Sequence, residues 1–197
     1  ALLVELYNLP ARYDEVFAAA RSGAALAGIV LPVDASPQEA MGAFGLAAQE
    51  AGAALGDRSV DALADAPEIV DAMATAVLRL LMRTLSAAYF KNPLLYGIIV
   101  CKGVRIMLEH GASRSACDMY ANYGLMLAAL LGAPRAGYAF GSLALRQAER
   151  FGAPDAYCRA AFLTANFVLP WTRPLREAVD LNARGFRAGV EGGDITY

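Results

Sequence analysis

The sequence predicts an all-α chain: a TPR-like superhelix, or right-handed solenoid, of antiparallel helix pairs. Three observations point there. Two short breaks, Gly132-Ala133-Pro134 and Gly152-Ala153-Pro154, cut the C-terminal half into helix-length runs of like design. Each break joins a residue that ends a helix by tolerating φ > 0 to one that opens the next by fixing φ. With the breaks at Asn92-Pro93, Gly111-Ala112-Ser113 and Thr172-Arg173-Pro174, they set a cadence of about forty residues per helix pair. Finally, no stretch alternates with period two for long enough to make a strand.

Residues 1–8 are a short apolar segment, expected to be the end of a helix. Pro10 is expected to open the next helix, through about Ala27, with Tyr13, Phe17 and Ala20 on one face. A break at Leu31-Pro32-Val33-Asp34 follows. Ser36-Pro37-Gln38-Glu39 then carries a capping-box signature, with serine as N-cap, proline at the first helical position and glutamate reaching back. That helix is expected to run to Leu55, and residues 59–64 to form one helical turn.

Pro67 is expected to open a long helix to about Tyr89. One stripe would hold Ile69, Met73, Ala76 and Leu80, and a second Leu78, Leu81 and Leu85, so that neighbours pack on two sides. Residues 93–109 are nearly all apolar apart from Lys102 and Arg105. Residues 114–131 are apolar almost all round past the first two turns, with Tyr120, Gly124, Leu127 and Leu131 on one face and Met119, Tyr123, Met126 and Leu130 on another. Residues 135–151 are amphipathic. Tyr138, Leu145 and Ala148 are expected to face in, and Arg146, Gln147, Glu149 and Arg150 to face out. The runs 154–169 and 174–191 complete the set. Alternation of a buried helix with a half-exposed one is what a two-layer repeat requires. One pair matches the TPR design closely: Gly124 allows close approach, while Ala136 and Phe140 take the small and large positions on the second helix. The next matches less well, with Ala165 and Ala178 as small residues and Asn182 where an aromatic would stand. There is no linker or low-complexity tract, so residues 1–197 read as a single helical-repeat domain. Because the first residue is Ala1 and the last helix ends close to Tyr197, that domain is expected to be a fragment of a larger multidomain protein.

Composition narrows the function classes. Net charge is −2 and the basic residues are scattered, so no electrostatic footprint for nucleic acid or an anionic membrane is present. Hydrophobic content is 57%, but the apolar runs 94–100 and 125–131 stop well short of the roughly twenty residues a bilayer span needs. Much of the excess is alanine, a strong helix former. Cys101, Cys117 and Cys158 lack C-x-x-C spacing and fall inside predicted helices, as expected of buried thiols in a reducing cytoplasm. A single histidine, His110, argues against a zinc site. No glycine-rich phosphate loop is present, so no cofactor is expected.

Candidate residues carry a functional and a structural reading each. His110 is a possible general base, but its place before Gly111 suits a helix C-terminus, where a partly charged imidazole favours the dipole. Asp118 and Asn122, one turn apart on an otherwise apolar helix, mark a polar ligand groove, a polar edge or a helix-to-helix hydrogen bond. Tyr120 and Tyr123, with Tyr89, Phe90, Tyr96 and Tyr138, offer aromatic surface for binding or fill the core. Trp171, after Pro170, is the large residue most expected to be exposed, as an interface anchor or a cover for the preceding helix end.

Several separated motifs resemble one family. They are Arg58-Ser59-Val60-Asp61-Ala62-Leu63, Ala66-Pro67-Glu68, Ala88-Tyr89-Phe90-Lys91-Asn92-Pro93-Leu94 and Leu108-Glu109-His110-Gly111. Arg12-Tyr13-Asp14-Glu15, Tyr123-Gly124-Leu125 and Gly137-Tyr138-Ala139-Phe140-Gly141 continue the likeness. Together they resemble the helical-repeat region of large bacterial signalling proteins. Such proteins join a serine/threonine-kinase-like domain and an AAA-type predicted ATPase to this region, followed by GAF and sensor histidine kinase domains. Lys91 and Ala112 depart mildly from that pattern. The resemblance implies no catalytic residue, because the family's active sites lie in other domains.

The expected function is therefore a non-catalytic scaffold or signal-relay module of a cytoplasmic two-component sensor kinase. Its partners would be the neighbouring ATPase, GAF and kinase domains and another protein, with a homodimer also open. The alternative is a ligand- or peptide-sensing module binding on the concave face. An all-α enzyme is the third reading and would require clustered titratable residues in a cleft.

Overall fold

In a computed structural model, which describes residues 1–8 and 11–194, the chain is all-α: nine helices and no strand among the described residues. Pro10, expected to open a helix, and Tyr197 lie outside them. The helices are α1 (Leu2–Asn8), α2 (Tyr13–Ala25), α3 (Pro37–Leu55), α4 (Ala72–Lys91), α5 (Pro93–His110), α6 (Met119–Ala129), α7 (Pro134–Arg150), α8 (Pro154–Leu163) and α9 (Leu175–Gly192). Among the described residues no helix is long and apolar enough to cross a membrane. The helices gather into two compact units, Ala1–Gly56 with Ile69–Gly111, and Asp57–Glu68 with Ala112–Tyr197.

In the first unit, α4 packs against α1, α2 and α5, and α3 lies on α5. Phe17, Ala20 and Ala24 of α2 and Phe44, Ala47 and Ala51 of α3 are buried, as are Leu78, Leu81 and Leu85 of α4. The capping box at α3 forms as its sequence requires. Ser36 Oγ accepts from the Glu39 amide, and the Glu39 carboxylate accepts from the Ser36 amide at 2.9 Å. The start expected at Pro67 is displaced. α4 begins at Ala72, where the Asp71 carboxylate accepts from the Met73 and Ala74 amides and satisfies the first-turn donors. The first expected stripe consequently breaks up. Ile69 precedes the helix, Met73 and Ala76 are exposed, and Val77 and Thr84 are buried instead.

In the second unit, α6 packs on α7, α7 on α8, and α8 on α9. Both Gly-Ala-Pro breaks act as read. Gly132 and Gly152 have φ of 62° and 56°, and Pro134 and Pro154 open α7 and α8. Three details differ from expectation. Helix α6 starts at Met119, not Arg114, because residues 114–118 form turns and the Arg114 guanidinium donates to the Phe151 and Gly152 carbonyls. This places Cys117 in a turn, not in a helix. The run 154–169 is not uniform either. Past Leu163 it widens into a π turn, Thr164–Val168, and tightens into a three-ten turn, Leu169–Trp171, around Pro170.

The close approach of α6 and α7 is made by Gly124 and Gly137. A Cβ on either would stand 2.5 Å from the other's carbonyl oxygen. Ala136, expected in the small position, is exposed, so the true contact lies one residue later. Gln147, expected to face out, is fully buried. Its Nε2 donates to the Leu63 carbonyl at 2.9 Å, so residues 57–68 cover that part of α7.

Candidate functional site

The polar residues singled out on α6 sit in the second unit at the start of that helix. Asp118 immediately precedes α6 and is buried, and Asn122 one turn later is buried too, its amide donating to the Asp118 carbonyl at 2.9 Å. Arg159 of α8 completes the arrangement. Its Nε donates to Asp118 Oδ2 at 2.8 Å, one Nη to Asp194 at 2.9 Å and the other to Asp155 at 3.1 Å. One guanidinium thus binds the start of α6, the first turn of α8 and the end of α9 to one another. Its planar fork of donors suits three carboxylates where an ammonium would not.

The electrostatics follow from burial. Desolvation pushes the Asp118 carboxyl above its ordinary value, against the pull of the Arg159 charge and hydrogen bond. Desolvation also works to lower Arg159, but Asp118, Asp155 and Asp194 outweigh it and leave the guanidinium more basic than usual. Asp118 Oδ1 is buried without a hydrogen-bond partner among the described residues. Asp118 bonds from the start of α6 to Arg159 of α8, whereas the Asn122 amide bonds back to the Asp118 carbonyl one turn earlier. Arg159 and Asp194 were not foreseen. Asp155 and Arg159 stand at i,i+4, a signal legible in the sequence, whereas Asp194 is distant in the chain and gave none.

Tyr120 and Tyr123 are buried against Phe140 of α7. The Tyr120 ring stacks on it at 5.8 Å between centroids, and the Tyr123 ring meets it edge-on at 4.9 Å. Tyr96 is buried, Tyr138 half-buried, and Tyr89 and Phe90 exposed. Trp171 is 75% exposed at the end of the three-ten turn. It lies apart from the Asp118 cluster in the sequence of elements and makes no hydrogen bond with it. His110 is the last residue of α5, with its Nδ1 3.5 Å from the Asp71 carboxylate and Gly111 following at φ 119°. The three thiols are buried, and burial pushes those of Cys101 and Cys117 up to about 12.

A cleft of about 410 Å³ opens elsewhere in the second unit. The end of α7 contributes Glu149, α8 Pro154 and Tyr157, and α9 Arg184, Arg187 and Glu191. Burial raises the Tyr157 phenol pKa, which keeps it a hydrogen-bond donor. No protein-family model, curated protein or solved structure matches the chain. Among the described residues no group of three or more histidine, cysteine or acidic side chains could hold a metal ion. The Asp118–Arg159 network binds helices together, and the cleft is lined by two acidic and two basic side chains, Glu149, Glu191, Arg184 and Arg187.

Proposed function

We propose that this chain is a helical-repeat interaction module, a scaffold or signal relay in a cytoplasmic multidomain signalling protein of the sensor-kinase and ATPase type. The observation that carries the proposal is Trp171. It stands 75% exposed on a short turn whose backbone is held, with the Thr172 and Arg173 amides both donating to the Leu169 carbonyl at 2.9 Å. A large indole on an ordered platform loses little side-chain entropy when it enters a pocket, which is why tryptophan is enriched at binding hot spots. The motifs around residues 58–68 and 88–94 support the signalling context by their resemblance to that family's repeat region.

A photo-crosslinking amino acid at position 171 tests the proposal in cells of the source organism. The expected product is a specific adduct with an ATPase, GAF or kinase domain or with another protein, lost when unlabelled wild-type chain is competed in but kept when the competitor is Trp171→Ala. An adduct pattern no different from that of an exposed control position such as Arg79 would sink it.

The cleft favours the ligand-sensing reading as the second choice. Its volume falls in the range of small-molecule sites, roughly 300–1,000 Å³, and Tyr157, Arg184 and Arg187 supply donors around it. A ligand that raises the melting temperature of the wild type but not of Arg184→Ala would decide for it.

A further inference from the structure

Helix α9 has two apolar faces, and among the described residues only one is buried. Ala178, Leu181, Gly185 and Gly189 are buried on the face toward α8. That contact is close. A Cβ on Gly185, Gly189 or Gly192 would come within 2.8, 2.8 and 2.6 Å of Ala161, Cys158 and Asp155. The second face carries Leu175, Val179, Phe186 and Val190, each between 67% and 70% exposed. On a helical wheel these four, with exposed Ala183, occupy one stripe beside the buried face. A reciprocal amide pair, Asn166 with Asn182, borders the stripe on that side, at 3.1 and 3.2 Å.

The stripe reads the same in both directions. Its residues follow one another at spacings of four, seven and four, centred between Asn182 and Ala183. The charged flank, one residue further on at each step, repeats the same spacing as Arg176, Asp180, Arg187 and Glu191. Reversed, that row sets Glu191 against Arg176 and Arg187 against Asp180, so every position meets its opposite. Among the described residues none of the four has a salt bridge within the chain.

We infer that α9 is a homodimerisation helix, pairing antiparallel with α9 of a second copy about a two-fold axis near residues 182 and 183. Leu175 then meets the partner's Val190, and Val179 the partner's Phe186. A two-fold perpendicular to both helices keeps the charged flank of one beside the charged flank of the other, where all four pairs are attractive. A parallel pair would turn each charged flank toward α8 of the other copy and lose that match. The Asn166–Asn182 amides lie at the level of the axis, where a polar residue in an apolar seam fixes register. This inference is independent of the role proposed for Trp171.

The test is sedimentation equilibrium on the full chain at about 150 mM salt, close to one Debye length of 8 Å. The wild type is expected to be a reversible dimer. Phe186→Glu is expected to abolish it, and either Arg187→Glu or Asp180→Arg to weaken it about tenfold or more, since each reversal places like charges opposite in both symmetric pairs. The double variant Asp180→Arg with Arg187→Glu exchanges the signs and is expected to restore wild-type affinity. All three positions are exposed, and circular dichroism confirms that each variant is folded. Oxidative crosslinking gives the direction. Ala183→Cys, beside the axis, is expected to form a disulfide-linked dimer. Val190→Cys is not, because an antiparallel pair holds its two copies about 22 Å apart, fifteen residues at 1.5 Å each. A wild type that stays monomeric, a dimer indifferent to Phe186→Glu, failure of the double variant to recover, or ready crosslinking through Val190→Cys would each overturn the inference.

Discussion

Asp118 is a buried carboxyl whose titration has a definite sign. Burial raises its folded pKa above the unfolded value of about 3.9, so the folded state keeps the proton to higher pH. Its contribution to stability is therefore largest below the unfolded value and declines as pH rises through the folded one. Asp118→Asn keeps the shape and cannot titrate. Urea midpoints of the two proteins should differ in slope. Relative to the variant, the wild type is expected to lose stability between about pH 4 and the raised value and then run level. A wild type that gains on the variant over that window would show that the Arg159 charge outweighs desolvation. Removing the other partner is a separate matter. Arg159→Ala takes away the cation shared by Asp118, Asp155 and Asp194 and should cost roughly 3–5 kcal/mol, the range for leaving a buried charge unpaired.

At the scale of the helix, glycine has two opposite meanings here, and substitution by alanine separates them. Gly137 is where α7 touches α6, and a Cβ would stand 2.5 Å from the Gly124 carbonyl oxygen. That atom is backbone, so the helices themselves would have to part. Gly137→Ala is expected to cost about 1–3 kcal/mol or more, as overpacking does. Gly45 lies inside α3 with nothing within 4 Å of its Cβ position, so Gly45→Ala gains only helix propensity, roughly 0.5–1 kcal/mol. Differential scanning calorimetry should show melting temperatures moving in opposite directions; a shift of the same sign in both would refute the contact reading. The same contrast explains what was legible. Punctuation acts locally, so Gly132-Ala133-Pro134, Gly152-Ala153-Pro154 and the Ser36 capping box could be read from adjacent residues. The Gly124 contact could be read too, but its partner fell one residue away from Ala136, because a small position is set by the crossing of two helices. For Asp118 the sequence offered burial and a polar character but not Arg159, which is brought up by the fold of α8 forty-one residues later. The π turn after Leu163 had no local signal except Pro170.

The chain as a whole does not fill its two compact units in order. Residues Asp57–Glu68 follow α3 yet belong with α6–α9, after which the chain returns to build α4 and α5. What holds this strap is mostly side chain to backbone. Arg150 donates to the Ala64 and Ala66 carbonyls, both at 2.7 Å, and Gln147 to that of Leu63. Arg146 pairs with Asp61 at 2.7 Å, and the Ala112 amide donates to the Pro67 carbonyl at 2.7 Å. Helix propensity would carry 67–71 into α4; these bonds draw 67 and 68 into an isolated parallel bridge with Ala112 instead. Arginine at position 150 is thus the residue through which a distant segment is fastened, although the pattern of α7 marks it only as an outward charge. Arg150→Ala removes two charge-assisted bonds and leaves Gln147 and Arg146 in place. Amide exchange in residues 57–68 and at Ala112 should quicken by about tenfold, which corresponds to about 1.4 kcal/mol of local opening. Exchange in α3 and α5 should stay as it was, because neither helix takes a bond from Arg150. Mass-spectrometric exchange resolves these segments separately. Uniform acceleration through all of them would mean that the strap has no opening of its own and that Arg150 stabilises only the global fold.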